Sequence, residues 1–454
     1  MPGKQLSRWT IAWFASALAF LLASLTLAVA GYGGPADWAG GAALAVVHLF
    51  ALGWLCQMML GSLIQFAPVL AARPLARPGL ALPALLFCAL GTLMLAAGFL
   101  ALDGWEPGRP LLSLAPLPLA LAFGFALAML APVLAGRGAW RQSEARAVLA
   151  GLAGLAALWF SGAGMALALT GFGPGGLVSG GLPVHMVLGA GGWLTLAAMG
   201  VSYKLFAMFL LAPERDTRLR RAGFFAALAA LALALAALIM AWLEQDTALP
   251  LALALATGAL AGLCYLAEIF RLWRARRRPR PEVNMNFSRV SLVFLVATLV
   301  LLAPAALLGG PFAEAAVFLA LAGWLSTLTL AQMIKITSFL TWIQVFSPLI
   351  GRQKVPMVQD LSDPRTVARW LWLWTAGAAC ATLALLAQTG PGFRLAAALM
   401  LVAALGLTRE AWAIRRLRHL SPALRPALLP PVILPPHPTP VQGRSSLHDR
   451  PHPI

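Results

Sequence analysis

Charged residues and cysteines are scarce in this chain, and each scarcity excludes a class of protein. Charged residues make up only 11% of the 454 residues, whereas hydrophobic residues make up 61%. Soluble globular domains carry about 25% charged residues, so the composition predicts an all-α, polytopic membrane protein. The four cysteines all lie within apolar runs and form no CxxC pair. They therefore indicate neither a disulfide framework nor a zinc site.

Apolar runs of about 20 residues, the length that crosses a bilayer as a helix, occur twelve times. The first run lacks a convincing cleavage motif, so we interpret it as a transmembrane helix and not as a signal peptide. The sequence predicts a membrane domain over residues 1–420. Its twelve helices are expected at residues 9–31, 38–70, 79–102, 111–135, 146–171, 181–212, 221–243, 248–272, 289–309, 314–347, 368–388 and 392–416.

The tripeptide Gly-Trp-Leu occurs three times and marks an internal repeat. It begins at Gly53, Gly192 and Gly323, in helices two, six and ten. In each copy the third residue after the glycine is small and able to hydrogen-bond, and the twelfth is polar. The sequence therefore predicts three four-helix repeats, at about 9–135, 146–272 and 289–416. Packing of one membrane helix on another is the simpler explanation of these glycines and tryptophans.

Positive charge is distributed asymmetrically along the chain. If the amino terminus is cytoplasmic, Arg109 and Arg394 alone among the 33 Lys and Arg residues lie on the outer side. The positive-inside rule then predicts a multi-pass protein of the cell inner membrane with both termini cytoplasmic. The net charge of +18 is explained by topology and by contact with anionic lipid, so nucleic acid is not a predicted partner. The proline-rich residues 421–454 are predicted to form a disordered cytoplasmic tail.

Two histidines lie inside the predicted membrane. His48 precedes its Gly-Trp-Leu by five residues and His185 precedes its own by seven, so both lie on the outer half of their helices. Ionisable side chains within a bilayer are candidates for functional sites, and a neutral imidazole is a ligand of haem iron and of other metals. We predict that both histidines bind a cofactor, with His185 a metal ligand. A hydrogen-bonded packing role is the alternative for each.

This plan resembles subunit I of the haem-copper oxidases. Residues 48–69 resemble that family's helix two, which carries an axial ligand of the low-spin haem, and residues 183–211 resemble its helix six, which carries a copper ligand. The resemblance implies a haem, b-type, together with copper and a redox partner. Helices seven and ten lack the histidines of the family, which argues against oxygen reduction coupled to proton pumping. The chain resembles more closely the divergent oxidase-like proteins, among them the NnrS-type proteins linked to nitric oxide stress.

Polar side chains near the inner ends of helices two, six and ten are candidates for a polar pathway. They are Gln65, Tyr203, Lys204 and Lys335. Snorkelling of the lysines to the interface explains the same positions. The functional hypotheses are a haem- or copper-binding protein in electron transfer, nitric oxide response or metal homeostasis, and a small-solute or ion transporter or channel with a threefold repeat. A structural subunit that has lost its cofactors is a third. Whether the histidines form one site or two stays open at this point.

Overall fold

The computed structural model describes residues 9–35, 40–136, 138–426 and 429–433, with only the backbone of Trp140 and Ser179. These residues form helices and turns, and none of them lies in a strand. Among them, eleven helices are long and apolar enough to cross a membrane. A twelfth helix, Pro364–Leu386, has 23 residues, but Arg369 and three tryptophans lower its mean hydropathy. The predicted all-α, multi-pass membrane architecture is confirmed.

The long helices, numbered α1 to α12 in chain order, begin and end within a few residues of their predicted bounds. They are α1 Thr10–Ala30, α2 Gly41–Ala71, α3 Pro78–Asp103, α4 Glu106–Leu134, α5 Ser143–Leu169, α6 Gly176–Leu210, α7 Arg218–Trp242, α8 Ala248–Arg274, α9 Val283–Leu308, α10 Gly310–Val345, α11 Pro364–Leu386 and α12 Gly390–Arg415. We call the end of the bundle where α2, α6 and α10 begin the histidine side. The opposite end, where these three helices finish, is the arginine side.

Three helices, α2, α6 and α10, are the longest and meet within the bundle. They have 31, 35 and 36 residues, and 78% of the apolar window of α10 is buried. Each changes from α-helical to π-helical winding at its Gly-Trp-Leu, over Leu49–Cys56, Val187–Thr195 and Leu319–Leu325. The three π-helical segments contact one another through the one in α10. Such segments are rare in proteins and are frequent at functional sites.

The three tryptophans of these segments are paired in cyclic order. Each indole faces the residue that lies three positions after the glycine of another copy. The pairs, which we call the tryptophan ring, are Trp54 with Ser326, Trp324 with Thr195, and Trp193 with Cys56. The first two indoles donate hydrogen bonds of 3.0 and 3.3 Å to hydroxyl oxygens, whereas the third N–H has no partner at hydrogen-bond geometry. A threefold repeat would produce this cyclic order, while triplication of all twelve helices stays a prediction.

Close packing of α1 on α2 depends on two glycines of α2. A Cβ atom at Gly53 would lie 2.5 Å from Cγ of Phe20, and one at Gly61 would lie 2.6 Å from Cβ of Trp13. Neither distance is sterically allowed, so the absence of a side chain lets the two helices approach. Small residues serve the same purpose at many contacts between membrane helices. These glycines therefore set the position of α2 against its neighbour.

The first turn of α2 is held by the last residue of α3. The carboxylate of Asp103 accepts hydrogen bonds from the backbone N–H groups of Gly41 and Ala42 at 2.8 and 2.6 Å. A helix leaves its first N–H groups without partners inside the helix, and a negative charge there is also favoured by the helix dipole. Asp103 thus fixes the segment that leads to His48.

The beginning of the predicted tail is attached to the helical bundle. Residues 422–424 form a single turn. The buried guanidinium of Arg415 donates hydrogen bonds to the carbonyl oxygens of Pro431 and Val432 at 2.5 and 2.9 Å. It also donates to Thr341 and Gln344 of α10. Residues 434–454 lie outside the described residues, and for them the disordered tail stays a prediction.

We expect Gly53→Ala to destabilise the protein by about 1–3 kcal/mol, the usual effect of overpacking. The new methyl group would displace Phe20 and separate α1 from α2. Gly124→Ala in α4 is the matched control, because a Cβ there meets nothing within 4 Å and alanine favours a helix by about 1 kcal/mol over glycine. Thermal unfolding in detergent checks both variants. Equal midpoints for the two would contradict this account of the packing.

A double-mutant cycle on Trp54→Phe and Ser326→Ala tests the tryptophan ring. Ser326→Ala leaves the buried indole N–H of Trp54 without an acceptor, so we expect a loss of about 1–3 kcal/mol. Trp54→Phe removes the donor to Ser326, whose hydroxyl keeps its bond to Leu321, so we expect a loss of about 1 kcal/mol. The loss in the double variant should fall short of the sum by at least about 0.5 kcal/mol, because both changes break one contact. Pairing Trp54→Phe with Ser113→Ala, at a half-buried serine of α4 that donates to Pro110 of its own helix, is the additive control. Additivity in both pairs would remove the hydrogen bond from the account of stability.

Candidate functional site

The two intramembrane histidines lie side by side on the histidine side of the bundle. The ring centroids of His48 and His185 are 6.2 Å apart, and the ring planes differ by 34°. His48 is the residue directly before the π-helical segment of α2, and His185 lies two residues before that of α6. The packing of α2 against α6 thus brings together two side chains that are 137 residues apart in the sequence. The two histidines form one candidate site.

Hydrogen bonds define the tautomer of each imidazole. Nδ1 of His48 lies 2.7 Å from the carbonyl oxygen of Leu44, which can only accept, so Nδ1 carries the proton. The hydroxyl of Ser161 donates to the carbonyl of Leu158 at 3.0 Å. The same oxygen lies 2.8 Å from Nδ1 of His185, and with the hydroxyl proton directed to Leu158 it accepts from that nitrogen. In both rings Nε2 keeps its lone pair, which is the arrangement found in metal-binding histidines.

An aromatic ring and a glycine pack against the two histidines. The ring of Phe99 lies 4.7 Å from that of His48, centroid to centroid. A Cβ atom at Gly162 would be 3.0 Å from Cε1 of His185, so the backbone of α5 packs on the ring edge. Both histidines remain half-buried by area. The site therefore combines neutral nitrogen donors with accessible ring surface.

Acidic and thiol ligands do not complete this site. Within residues 9–35, 40–136, 138–426 and 429–433, no group of three or more His, Cys, Asp or Glu side chains is placed to hold a metal ion. The two imidazoles are thus the ligands of these types that the described chain offers here. Any ion bound between them would bring a charge that no carboxylate offsets.

The residues predicted to form a polar pathway lie on the arginine side, away from the histidines. Tyr203 follows His185 by 18 residues, which corresponds to about 27 Å along a helix. Lys204 pairs with Glu214 at 2.7 Å and Lys335 pairs with Glu282 at 2.5 Å. Gln65 is 9% exposed. Ion pairing near the helix ends accounts for both lysines.

A buried polar cluster next to Tyr203 joins α5, α6 and α7. Nη1 of Arg220 donates to Oε1 of Glu144 at 3.1 Å, with side chains 4% and 9% exposed. The guanidinium lies 4.3 Å above the ring of Tyr203. On α8, Glu268 accepts from Arg271 at 2.7 Å, as the spacing i, i+3 predicts. The pair of Arg220 with Glu144 has no such local signal, because 76 residues separate them.

A cavity of about 60 Å³ lies between α2, α6 and α10, on the arginine side of the tryptophan ring. We call it the axial cavity. All three helices line it at the same positions, namely six, nine and thirteen residues after the glycine of Gly-Trp-Leu. These residues are Met59, Ser62 and Phe66 in α2, Ala198, Val201 and Leu205 in α6, and Thr329, Gln332 and Ile336 in α10. A cavity needs at least about 10–15 Å³ to hold one water, so this one has room for water.

No protein-family model matches the chain, and no curated protein is significantly similar to it. The fold and the site together define a class: a helical, multi-pass membrane protein with a paired-histidine site near one end of its bundle. The resemblance to haem-copper oxidases stays a prediction.

We expect Arg220→Met to destabilise the protein by about 3–5 kcal/mol, because Glu144 would be left charged, buried and unpaired. Replacing both residues, by Arg220→Met with Glu144→Gln, should restore most of this loss. The neighbouring Arg221→Met is the matched control, since Arg221 pairs with Asp216 at 3.7 Å with both side chains more than half exposed. Such exposed pairs contribute about 0–1 kcal/mol. Thermal unfolding in detergent distinguishes the variants, and equal losses at Arg220 and Arg221 would contradict the assignment of a buried pair.

Proposed function

We propose that the protein is a haem- or copper-binding protein of the cell inner membrane in which His48 and His185 hold one metal centre. Both termini are cytoplasmic in this proposal, which places the histidine side outward. The observation that carries it is the pairing of the two imidazoles, whose ring centroids are 6.2 Å apart. The hydrogen bond of each ring is made by Nδ1, which leaves Nε2 as the nitrogen that would bind a metal. The resemblance to the oxidase superfamily and the internal repeat agree with it.

The separation of the rings suits one metal between them. Imidazole nitrogens bind metals at about 2.0–2.1 Å, and the ring centre lies roughly 1 Å behind its nitrogen. Two imidazoles that both bound one metal would therefore have ring centres up to about 6 Å apart. The observed centroid distance of 6.2 Å is close to this value, so His48 and His185 would be near enough to hold one metal ion together.

Charge selects among the metals. The site offers two neutral imidazoles and no described carboxylate or thiol group that could complete a metal site. A divalent ion would keep two positive charges in a medium where burial of an ion costs several kcal/mol. The porphyrin dianion cancels the charge of ferrous iron, and Cu(I) carries one charge only. Haem and Cu(I) are thus the groups that this site favours over Zn(II).

Electron transfer is the role that best fits two protein ligands. A bound haem or copper supplies reversible one-electron chemistry. The chain's own residues hold each Nδ1 proton at Leu44 and Ser161, and they keep the imidazoles neutral and oriented. His48 and His185 would hold the group from two different helices, and no third side chain of the types His, Cys, Asp or Glu among the described residues is placed to take part in chemistry there. Electron transfer to a redox partner is therefore favoured over catalysis at this centre.

The test is an optical spectrum of the detergent-purified protein, oxidised and reduced, with a pyridine haemochrome assay and copper analysis on the same sample. We expect a haem band or about one copper per chain in the wild type, and loss of either in His48→Ala and in His185→Ala. His419→Ala is the matched control, because His419 pairs with Glu410 at 2.7 Å beyond the end of α12. A colourless, metal-free wild type, expressed with ample haem and copper, would contradict the proposal.

The axial cavity favours a second candidate, a transporter or channel for a small solute. It lies between three helices at equivalent positions, as expected for a pore on a repeat axis. The indoles of Trp54 and Trp324 close the axis on the histidine side of this cavity. Flux through the protein in liposomes, raised by Trp54→Ala, would favour this candidate over the metal centre.

A further inference from the structure

We infer that Ser161 of α5 is the positioning residue of the metal centre: it fixes the tautomer and orientation of His185 and thereby sets metal affinity and redox potential. The inference rests on the proposed function for its redox part. Its structural part, the tautomer of His185, stands without a metal.

Ser161 forms a two-step relay between the imidazole and the backbone. Its hydroxyl donates to the carbonyl oxygen of Leu158 at 3.0 Å, and Nδ1 of His185 lies 2.8 Å from the hydroxyl oxygen. Ser161 is 0% exposed, so water does not replace either bond. Since the hydroxyl proton is already used, the oxygen has only a lone pair to offer His185. The proton of the imidazole is consequently held at Nδ1, and Nε2 is left as the metal ligand.

The next residue of α5 limits the position of the same ring. A Cβ atom at Gly162 would approach Cε1 of His185 to 3.0 Å and Nδ1 to 3.6 Å. The ring edge therefore lies directly against the helix. One residue of α5 orients the imidazole by a hydrogen bond, and the following residue sets its distance from the helix by having no side chain.

The two histidines have different hydrogen-bond partners, and only the partner of His185, on α5, can be changed by substitution. His48 donates to the carbonyl of Leu44 in its own helix, which no side-chain substitution removes. His185 donates to a side chain of another helix. Hydrogen-bond partners of ligating histidines raise the basicity of the ligand, and their loss typically lowers metal affinity about 10–100-fold. A change at Ser161 alone can therefore alter the centre without removing a ligand.

The experiment compares Ser161→Ala, Ser161→Thr and Ser161→Cys in the full-length protein. We expect Ser161→Ala to lower affinity for haem or Cu(I) about 10–100-fold and to shift the midpoint potential, whereas Ser161→Thr retains the hydroxyl and both wild-type values. Ser161→Cys keeps the size of the side chain with a weaker acceptor and should fall between them. Ser338→Ala is the control, since Ser338 is equally buried and donates to its own helix in α10. A wild-type affinity and potential in Ser161→Ala would overturn the inference.

Nitrogen NMR of the imidazoles in metal-free protein separates this inference from the proposed function. In the wild type we expect His185 to be protonated at Nδ1, and in Ser161→Ala to populate both tautomers, while His48 stays unchanged in both. A wild type that binds no metal overturns the proposed function and the redox part together, and the tautomers then still decide the role of Ser161. Identical tautomers in wild type and Ser161→Ala would overturn that role.

Discussion

The hydrogen bonds of the buried indoles are the constraint on which the rest of this structure depends. Lipid offers no partner to a polar group, so a buried N–H is stabilised when the protein supplies an acceptor. Trp54 and Trp324 meet this requirement at hydroxyls of neighbouring central helices. Since the hydroxyls lie three residues after the glycines, the bonds fix both the rotation and the register of α2, α6 and α10. The outer helices then pack around three helices whose relative position is already determined.

The histidine pair follows from that register. Successive residues of a helix are about 100° apart in direction, so a shift of one residue would turn His48 away from His185. The π-helical segments begin just after the histidines and contain the tryptophans, so their wider winding sets the angle about the helix axis between a histidine and the tryptophan that follows it. In α10 the same winding leaves the carbonyls of Leu321 and Ala322 to accept from side chains. Thus α10 accepts hydrogen bonds through its backbone in its π-helical segment, whereas α2 and α6 carry the two histidines just before theirs.

The sequence predicted what depends on local composition and missed what depends on distant contacts. Apolar length was enough to locate the twelve helices, and polarity within apolar length was enough to single out His48 and His185. The ion pair of Glu268 with Arg271 was predictable because a helix brings i and i+3 together. Nothing local indicated that Glu144 meets Arg220, that Trp54 meets Ser326, or that Ser161 contacts His185. In each case the partner lies on another helix, and its identity is set by helix packing that residue spacing does not encode.

The attachment of Arg415 gives the membrane domain a boundary that composition does not show. Prolines and polar residues become frequent after about residue 420, yet this guanidinium, only 2% exposed, takes two of its acceptors from Pro431 and Val432. Cleavage of the chain at residue 420 would therefore leave a cation facing the ends of α10 and α12 with half of its partners gone. The residues that stabilise the folded membrane domain therefore extend to about residue 433. A fusion partner joined after that residue would keep both hydrogen bonds of Arg415 to Pro431 and Val432.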